Sequence, residues 1–226
     1  MTGKMGMYKL SPSYIASLYP RCKRCFWVKV KASELGFAPP PGPILPKVFN
    51  KMDSMQKAFA KGQDVEVFNI LGFTGGRIVE LDFTVNSLPL KVRNSTFYIS
   101  GMGDFLIKWN DGSYGVWDFK TTTPTEATVG YYRHQILAYA FALKHASSGY
   151  LKIEKFGKSG ILACEPLDMV PHPQGWSIEG QFHALEVELK WALFENRLDK
   201  IAELVEGKIP ERNDYCEACN YAGNWR

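Results

Sequence analysis

A tight turn between two strand-like runs constrains the fold of this chain more than any other feature. Asn110-Asp-Gly-Ser113 separates two runs rich in Tyr, Val, Ile, Phe and Trp. An Asp-Gly turn in such a setting is a strong signal for a β-hairpin. We therefore predict two antiparallel strands, at about 104–109 and 114–120.

The predicted hairpin brings three polar side chains together. Because side chains alternate along a strand, Asp118 and Lys120 share one face, whereas Trp117 and Phe119 point to the other. Asp104 is expected to open the first strand, so the fold-back places it across from the end of the second. Two carboxylates and an ammonium set in this way are what a magnesium-dependent phosphodiesterase needs. The alternative is a solvated strand face with two ordinary acids and a lysine.

These groups could hold a divalent metal. Mg²⁺ prefers oxygen ligands and is typically bound by one or two carboxylates. Asp104 and Asp118 could supply them, with the backbone carbonyl of Phe119 as a further ligand. A bound Mg²⁺ or Mn²⁺ would activate a water molecule, which Lys120 would orient or deprotonate.

The segment Gly130–Lys144 has the composition and period of a helix. Gln135 and Tyr139 are four residues apart, so they lie on one face of it. Tyr131 and Tyr132 precede them by one turn. With Tyr139, these two tyrosines are the aromatic side chains expected to stack on nucleic-acid bases.

The order of these motifs resembles a known family. An Asp that starts a strand, an Asp-x-Lys that ends the next and a helix bearing Gln-x-x-x-Tyr resemble the RecB-like branch of the PD-(D/E)XK nuclease superfamily. The segments Ser11–Trp27 and Tyr215–Tyr221 are similar to the opening of that branch and to its Cys-x-x-Cys-x-Tyr ending. In several members, including CRISPR-associated exonucleases, that ending closes an iron-sulfur cluster.

The resemblance implies a role for each motif residue. Asp104 and Asp118 would bind the catalytic metal, and Lys120 would act beside them. Gln135 and Tyr139 would help to hold DNA near the site. The resemblance also implies a restriction-endonuclease-like core.

One ligand of the family pattern is missing. Many relatives carry a metal-binding histidine on an upstream helix, and no histidine precedes His134 here. Asp53, on a helix predicted over Pro46–Lys61, is the candidate replacement, although an acid on a helix is usually just solvated. The side chains that suggest an apolar face for this helix are Phe49, Met52, Met55, Gln56 and Phe59.

Four of the five cysteines form two Cys-x-x-Cys pairs, Cys22 with Cys25 and Cys216 with Cys219. Two such pairs can present four thiolates to one tetrahedral Zn²⁺ or to an Fe4S4 cluster. The family resemblance favours Fe4S4, and the two-plus-two spacing suits Zn²⁺ equally. Two disulfides are disfavoured because no secretory signal is recognisable, which predicts a cytoplasmic protein. Cys164 is expected to be a small buried residue.

Composition sets the frame for these motifs. With 226 residues, 46% of them hydrophobic and 22% charged, the chain can bury one sizeable core. We predict a single domain over 1–226, with a metal-binding element formed by 22–25 and 216–219. The order of elements predicts an α/β fold with a mixed central β-sheet flanked by helices. A net charge of +4 permits nucleic-acid binding without demonstrating it. No apolar run is long enough to span a membrane.

Coarser patterns predict the remaining elements. They are a short helix over 11–19, a loop or polyproline segment over 36–46, strands near 78–85 and 90–99, a hairpin over 149–165 that turns at 157–160, and an amphipathic helix over 177–206 stopped by Gly207.

The expected activity is that of a metal-dependent DNA nuclease that hydrolyses phosphodiester bonds by direct attack of water. Its expected substrates are single-stranded DNA or DNA ends, in DNA processing, repair or CRISPR-type adaptation, where a complex could supply a protein partner. One alternative is a catalytically inactive nuclease-like module that binds nucleic acid or a partner. Another is a zinc-ribbon-like interaction module whose cysteines are the function.

Overall fold

The structure, a computed structural model, describes residues 7–36 and 47–221. The strands are β1 Met7–Leu10, β2 Gly76–Asn86, β3 Leu90–Val92, β4 Ser95–Trp109, β5 Tyr114–Thr121, β6 Gly160–His172 and β7 Gly175–Glu186. The helices are a π-helical turn Tyr14–Leu18, α1 Tyr19–Arg21, α2 Lys23–Leu35, α3 Lys47–Ala60, a 3-10 turn Val65–Phe68, α4 Glu126–Lys144, α5 Trp191–Glu206 and α6 Glu217–Tyr221. The π-helical turn and α1 correspond to the helix predicted over 11–19. Apart from Gly36, the loop or polyproline segment predicted over 36–46 lies outside the described residues.

The strands form one mixed sheet. Its order is β1-β4-β5-β6-β7, and β2 and β3 also pair with β4. The β1–β4 and β5–β6 pairs are parallel, and the other pairs are antiparallel. The long strand β4 is therefore the centre of the sheet, with partners along both of its edges.

Helices cover both faces of this sheet. On one face, α4 and α5 bury Leu137 and Phe194 in a cluster that includes Val116 of β5. On the other, the end of α3 and the 3-10 turn pack in a cluster that includes Trp117. Adjacent residues of β5 thus point to opposite faces, as strand geometry requires. The predicted α/β fold, with a mixed central sheet flanked by helices, is confirmed.

The predicted hairpin is also confirmed. Strands β4 and β5 pair antiparallel, with Phe105 opposite Trp117. Asp111 Oδ1 accepts a hydrogen bond from Ser113 N at 2.9 Å, and Gly112 has a φ of 78°. Glycine adopts such a positive φ at little cost, so the turn follows from its local sequence.

The first hairpin strand is longer than predicted. Asp104 lies well inside β4, so the prediction that it opens a strand is wrong, and the strand predicted over 90–99 is divided between β3 and β4. Gly103 weakens the local strand signal. It serves instead as a close-packing position, because a Cβ there would lie 2.3 Å from the ring of Phe83 on β2. Pairing with β2 carries the strand through this glycine.

The hairpin predicted over 149–165 is wrong. Gly160 does not end a turn but begins β6, which pairs in parallel with β5. A Cβ at Gly160 would lie 2.2 Å from the carbonyl oxygen of Leu185. The glycine is needed for close strand packing, a use that local sequence does not distinguish from a turn.

The helix predicted over 177–206 is divided. Its first part is β7, which pairs antiparallel with β6, for example Leu185 with Ile161. Its second part is α5, which buries Phe194 and Leu198 and ends before Gly207, as predicted. Apolar side chains in the first part suit either period, and the free edge of β6 decides in favour of a strand.

Helix α3 confirms the predicted element but not its buried face. Phe49, Met55 and Phe59 remain exposed, and only Gln56 of the predicted apolar face is buried. Gln56 Nε2 donates to Thr121 Oγ1 at 3.2 Å. Polar contacts near the end of β5 therefore contribute to holding this helix in place.

Candidate metal centre and active site

Asp104 is held at both of its carboxylate oxygens. Oδ2 accepts a hydrogen bond from Phe119 N at 2.8 Å, and Oδ1 lies 3.1 Å from Lys57 Nζ. The contact with Phe119 joins β4 to the end of β5. Because 17% of the side chain remains exposed, the carboxylate is fixed and still reachable from solvent.

Asp118 is buried on β5, with 2% of its surface exposed. Lys120 Nζ donates to Oδ2, and Gln135 Nε2 donates to Oδ1 at 3.3 Å. Lys120 also donates to the carbonyl oxygen of Phe119 at 3.0 Å. A buried carboxylate is costly without such partners. The structure thus brings Asp104, Asp118, Lys120 and Gln135 into one connected network.

Lys120 lies in an environment that disfavours its charge. Burial lowers its pKa, the charges of Asp104 and Asp53 oppose this effect, and the charge of Lys57 lowers the pKa further. The ammonium also lies 5.1 Å from the centre of the Tyr132 ring, within range of a cation–π contact. Lys120 therefore gives up a proton more readily than an exposed lysine.

Helix α4 positions Gln135. It begins at Glu126, earlier than the predicted Gly130, because Thr125 caps it by accepting a hydrogen bond from Thr128 N at 3.2 Å. Gln135 is buried and directed at the sheet. The helix thereby fixes Oδ1 of Asp118, whereas Lys120 contacts Oδ2.

Tyr139 occupies a different environment from the one predicted. It is 4% exposed, and its hydroxyl donates to the carbonyl oxygen of Met102. Its ring meets Phe83 edge-on. No face of the ring is free, so the prediction that Tyr139 stacks on a nucleic-acid base is wrong. Its contacts instead hold α4 against β4. Tyr131 is 45% exposed, and its ring meets Tyr132 edge-on.

The structure adds Lys57 and Asp82, which were not among the site residues predicted from the sequence. Lys57 Nζ lies 2.7 Å from Asp82, 3.0 Å from Asp53 and 3.1 Å from Asp104. Burial lowers the pKa of Lys57, but hydrogen bonds and charges from these three acids outweigh it and raise the pKa overall. The spacing of Asp53 and Lys57 on one helix face was a visible signal. Nothing local placed Asp82, which reaches the group because β2 pairs with β4.

Asp53 is therefore close to the candidate site but bound to a lysine. Among residues 7–36 and 47–221, the cysteines form the only set of three or more potential metal ligands gathered closely enough to share one ion. The side chains of Asp53, Asp104 and Asp118 are not gathered in that way. A role for Asp53 as a metal ligand stays a prediction.

The two cysteine pairs meet. The sulfur atoms of Cys22, Cys25, Cys216 and Cys219 all lie within 4.8 Å of one another, and none of these cysteines forms a disulfide. Three of the sulfur pairs are separated by 3.5–3.6 Å. Four thiolates at about 2.3 Å from one tetrahedral ion would be about 3.8 Å apart. The predicted meeting of the chain's two cysteine pairs is confirmed, and the quartet could bind a metal.

The sequence was compared with models of known protein families. The sequence model of the PD-(D/E)XK nuclease superfamily matches residues 45–223. This chain belongs to the PD-(D/E)XK nuclease superfamily. Comparison with curated proteins finds no significant match. The fold is similar to that of the crystal structure of SSO0001, with a TM-score of 0.51 and 14% identity, over 96% of this chain and 84% of that one.

Membership of the superfamily indicates a metal-dependent nuclease that acts on nucleic acid. The donor set at the hairpin fits a divalent cation, because Asp104 and Asp118 offer the hard oxygen ligands that Mg²⁺ and Mn²⁺ prefer. The ammonium of Lys57 already lies against Asp104, so this carboxylate accepts a cation. The Phe119 carbonyl oxygen accepts a hydrogen bond from Lys120, so it also faces a positive group. None of the described helices is long and apolar enough to cross a membrane.

A second charged region is formed by residues of α1, α2, α4 and α5. The guanidinium of Arg197 lies 4.8 Å from the Tyr19 ring centre and 3.4 Å from His134 Nδ1, and Lys23 Nζ lies 3.0 Å from the same ring centre. Among the described residues, neither Arg197 nor Lys23 has a carboxylate within salt-bridge distance. Burial and the charges of Arg197 and Lys200 lower the pKa of Lys23 to about 8. The region therefore carries positive charge without a directly paired carboxylate.

Proposed function

We propose that this chain is a DNA nuclease of the RecB-like branch that hydrolyses phosphodiester bonds with Mg²⁺ or Mn²⁺. The observation that carries the proposal is the connected network of Asp104, Asp118 and Lys120, completed by Gln135 from α4. A solvated strand face would leave these groups unconnected. Here one carboxylate is buried and both are held by hydrogen bonds.

Each residue of the network has a role in this proposal. Asp104 and Asp118 bind the divalent ion, and the Phe119 carbonyl is a further oxygen ligand. The ion supplies an activated water and positive charge at the phosphate. Lys120 lies beside Asp118, where it would orient the attacking water as an ammonium or accept a proton from it as a neutral amine. Gln135 keeps Asp118 in one orientation, since its amide donates to Oδ1.

The unpaired cations beside Tyr19 support DNA as the substrate. Positive charge without a carboxylate partner is suited to backbone phosphates, which supply most of the affinity of proteins for nucleic acid. Exposed Tyr131 offers an aromatic face near the site to an unpaired base. These features support single-stranded DNA or DNA ends as the substrate.

We propose that the cysteine quartet holds a structural metal that joins the two ends of the described chain. The short sulfur separations support one Zn²⁺, because an Fe4S4 cluster binds its four thiolates on four different irons and needs them farther apart. The RecB-like resemblance supports Fe4S4. Elemental analysis of anaerobically purified protein distinguishes the two. One zinc atom per chain would indicate a Zn²⁺ site, and four iron atoms per chain would indicate an Fe4S4 cluster.

The experiment that tests the nuclease is a cleavage assay on fluorescent single-stranded DNA with Mg²⁺ or Mn²⁺. Asp118→Asn and Lys120→Met are expected to lower the cleavage rate at least about 100-fold, because each removes a group that acts at the reacting phosphate. Asp111→Asn is the matched control, since Asp111 lies on the same hairpin but outside the network and pairs with Lys155. Full activity in both site variants would overturn the proposal.

The inactive nuclease-like module remains the competing proposal. It predicts no heat on titration with Mn²⁺ and no metal-dependent cleavage, although DNA would still bind. A single domain over 1–226, a cytoplasmic location, a role in DNA repair or CRISPR-type adaptation and a protein partner stay predictions.

A further inference from the structure

The ammonium of Lys57 places a positive charge among the carboxylates of the candidate site. Its ammonium makes salt bridges to Asp53, Asp82 and Asp104, and only 16% of its side chain is exposed. A lysine that serves solubility would direct its ammonium to water. This one is turned toward the carboxylate that the proposed nuclease uses for metal binding.

The sum of the charges around Lys57 is consistent with one bound divalent ion. Asp53, Asp82, Asp104 and Asp118 contribute four negative charges, and Lys57 and Lys120 contribute two positive ones. Two negative charges remain, and one divalent cation would balance them. Without Lys57, three carboxylates near one point would have no counterion and would attract additional cations.

The geometry also allows Lys57 to share Asp104 with a metal. The ammonium of Lys57 lies 3.1 Å from Oδ1 of Asp104, while the backbone of Phe119 donates to Oδ2. If an ion takes Oδ1, the ammonium keeps Asp82 at 2.7 Å and Asp53 at 3.0 Å. Lys57 can therefore give way without leaving a partly buried charge unpaired.

Asp82 is built to hold Lys57. Its neighbours Leu81 and Phe83 pair with Phe105 and Gly103, so Asp82 lies across the strands from Asp104. Its φ of 52° is uncommon for a residue other than glycine, although Asp and Asn tolerate it best. The acid is thus kept beside the site by the backbone of β2 and not by a flexible loop.

We propose that Lys57, anchored by Asp82, is a positioning residue that stands in for a second divalent cation and limits the active site to one metal ion. This inference rests on the proposed nuclease function, because it assumes that Asp104 and Asp118 bind the ion.

The test is a titration with Mn²⁺ followed by electron paramagnetic resonance and calorimetry. Mn²⁺ prefers oxygen ligands, so the cysteine quartet does not contribute to the count. The wild-type chain is expected to bind one Mn²⁺ that Asp118→Asn abolishes. Lys57→Met is expected to bind a second Mn²⁺, or to bind the first at least about tenfold more tightly, because a competing positive charge is removed. Lys57→Arg and the control Lys61→Met are expected to behave as the wild type.

Asp82→Asn keeps the inference testable if Lys57→Met fails to fold. Asn is compatible with the positive φ, so the strand is retained. Because Lys57 loses its shortest partner and turns to Asp104, this variant is expected to bind Mn²⁺ at least about threefold more weakly. The affinity for Mn²⁺ is thus expected to rise or gain a second site in Lys57→Met and to fall in Asp82→Asn. Loss of packing alone would weaken Mn²⁺ binding in both variants.

The two claims fail in different ways. A wild-type chain that binds no Mn²⁺ overturns both the proposed function and the role of Lys57. One Mn²⁺ in the wild type, with the same number and affinity in Lys57→Met or an unchanged affinity in Asp82→Asn, overturns only the role of Lys57.

Discussion

Removal of the metal that we propose for the cysteine quartet is expected to destabilise the whole fold. About 190 residues separate Cys25 from Cys216, so a metal that binds both closes a very long loop. The chain-entropy relation for cross-links gives about 5 kcal/mol at 25 °C for a loop of this length. Other contacts between the two ends, such as Asn213 with the carbonyl of Arg21, also restrain it. We therefore expect a loss of at least about 3 kcal/mol, a large part of the stability of an ordinary domain.

Urea unfolding, followed by circular dichroism and tryptophan fluorescence, measures this loss. Metal-loaded protein, chelator-stripped protein and Cys25→Ser are compared, with Cys164→Ser as the control because Cys164 lies outside the quartet. The stripped protein and Cys25→Ser should unfold at a urea concentration lower by at least about 1.5 M, at a typical dependence of about 2 kcal/mol per molar. If both unfold at the same urea concentration as the metal-loaded protein, a metal at the quartet does not stabilise the fold by joining the two ends, and the reasoning is refuted.

Arg197, His134 and Gly103 each have contacts that a single substitution tests. Arg197→Ala should weaken DNA binding in fluorescence anisotropy and lower the slope of log affinity against log salt by about one, and an unchanged slope would exclude a phosphate contact. Burial and neighbouring arginines lower the pKa of His134 to about 4. As the pH falls from about 6.5 to 4, the unfolded chain takes up a proton at this histidine before the folded chain does, so the free energy of unfolding decreases. In His134→Gln this decrease between pH 6.5 and 4 should be smaller by about 1 kcal/mol, after allowance for solvent screening. Equal acid loss in both proteins would contradict this. Gly103→Ala should cost about 1–3 kcal/mol in urea unfolding, because its Cβ would lie 2.3 Å from the Phe83 ring, whereas Gly130→Ala, with nothing within 4 Å, should not destabilise.

Local chemistry explains what the sequence predicted well. The turn at Asp111 and Gly112 and the alternation along β5 depend on neighbouring residues, so the hairpin and the shared face of Asp118 and Lys120 were predictable. The spacing of the cysteine pairs carried enough chemistry to predict that 22–25 and 216–219 meet.

Tertiary pairing explains what the sequence did not predict. The division of 177–206 into β7 and α5 depends on the edge that β6 presents, and β6 is placed by its parallel pairing with β5. The contact of Lys57 with Asp82 and Asp104 depends on where α3 and β2 meet β4. Tyr139 lies at helical spacing from Gln135, but only the packed structure shows its hydroxyl on Met102.

The central claim is that Asp104 and Asp118 together hold the catalytic divalent ion. Anomalous diffraction from crystals soaked in Mn²⁺ tests it most directly, because the signal identifies the ion and its ligands at once. We expect an Mn²⁺ peak in contact with carboxylate oxygens of both residues, and its loss in Asp118→Asn. A fully soaked crystal with no peak beside these two side chains would contradict the account.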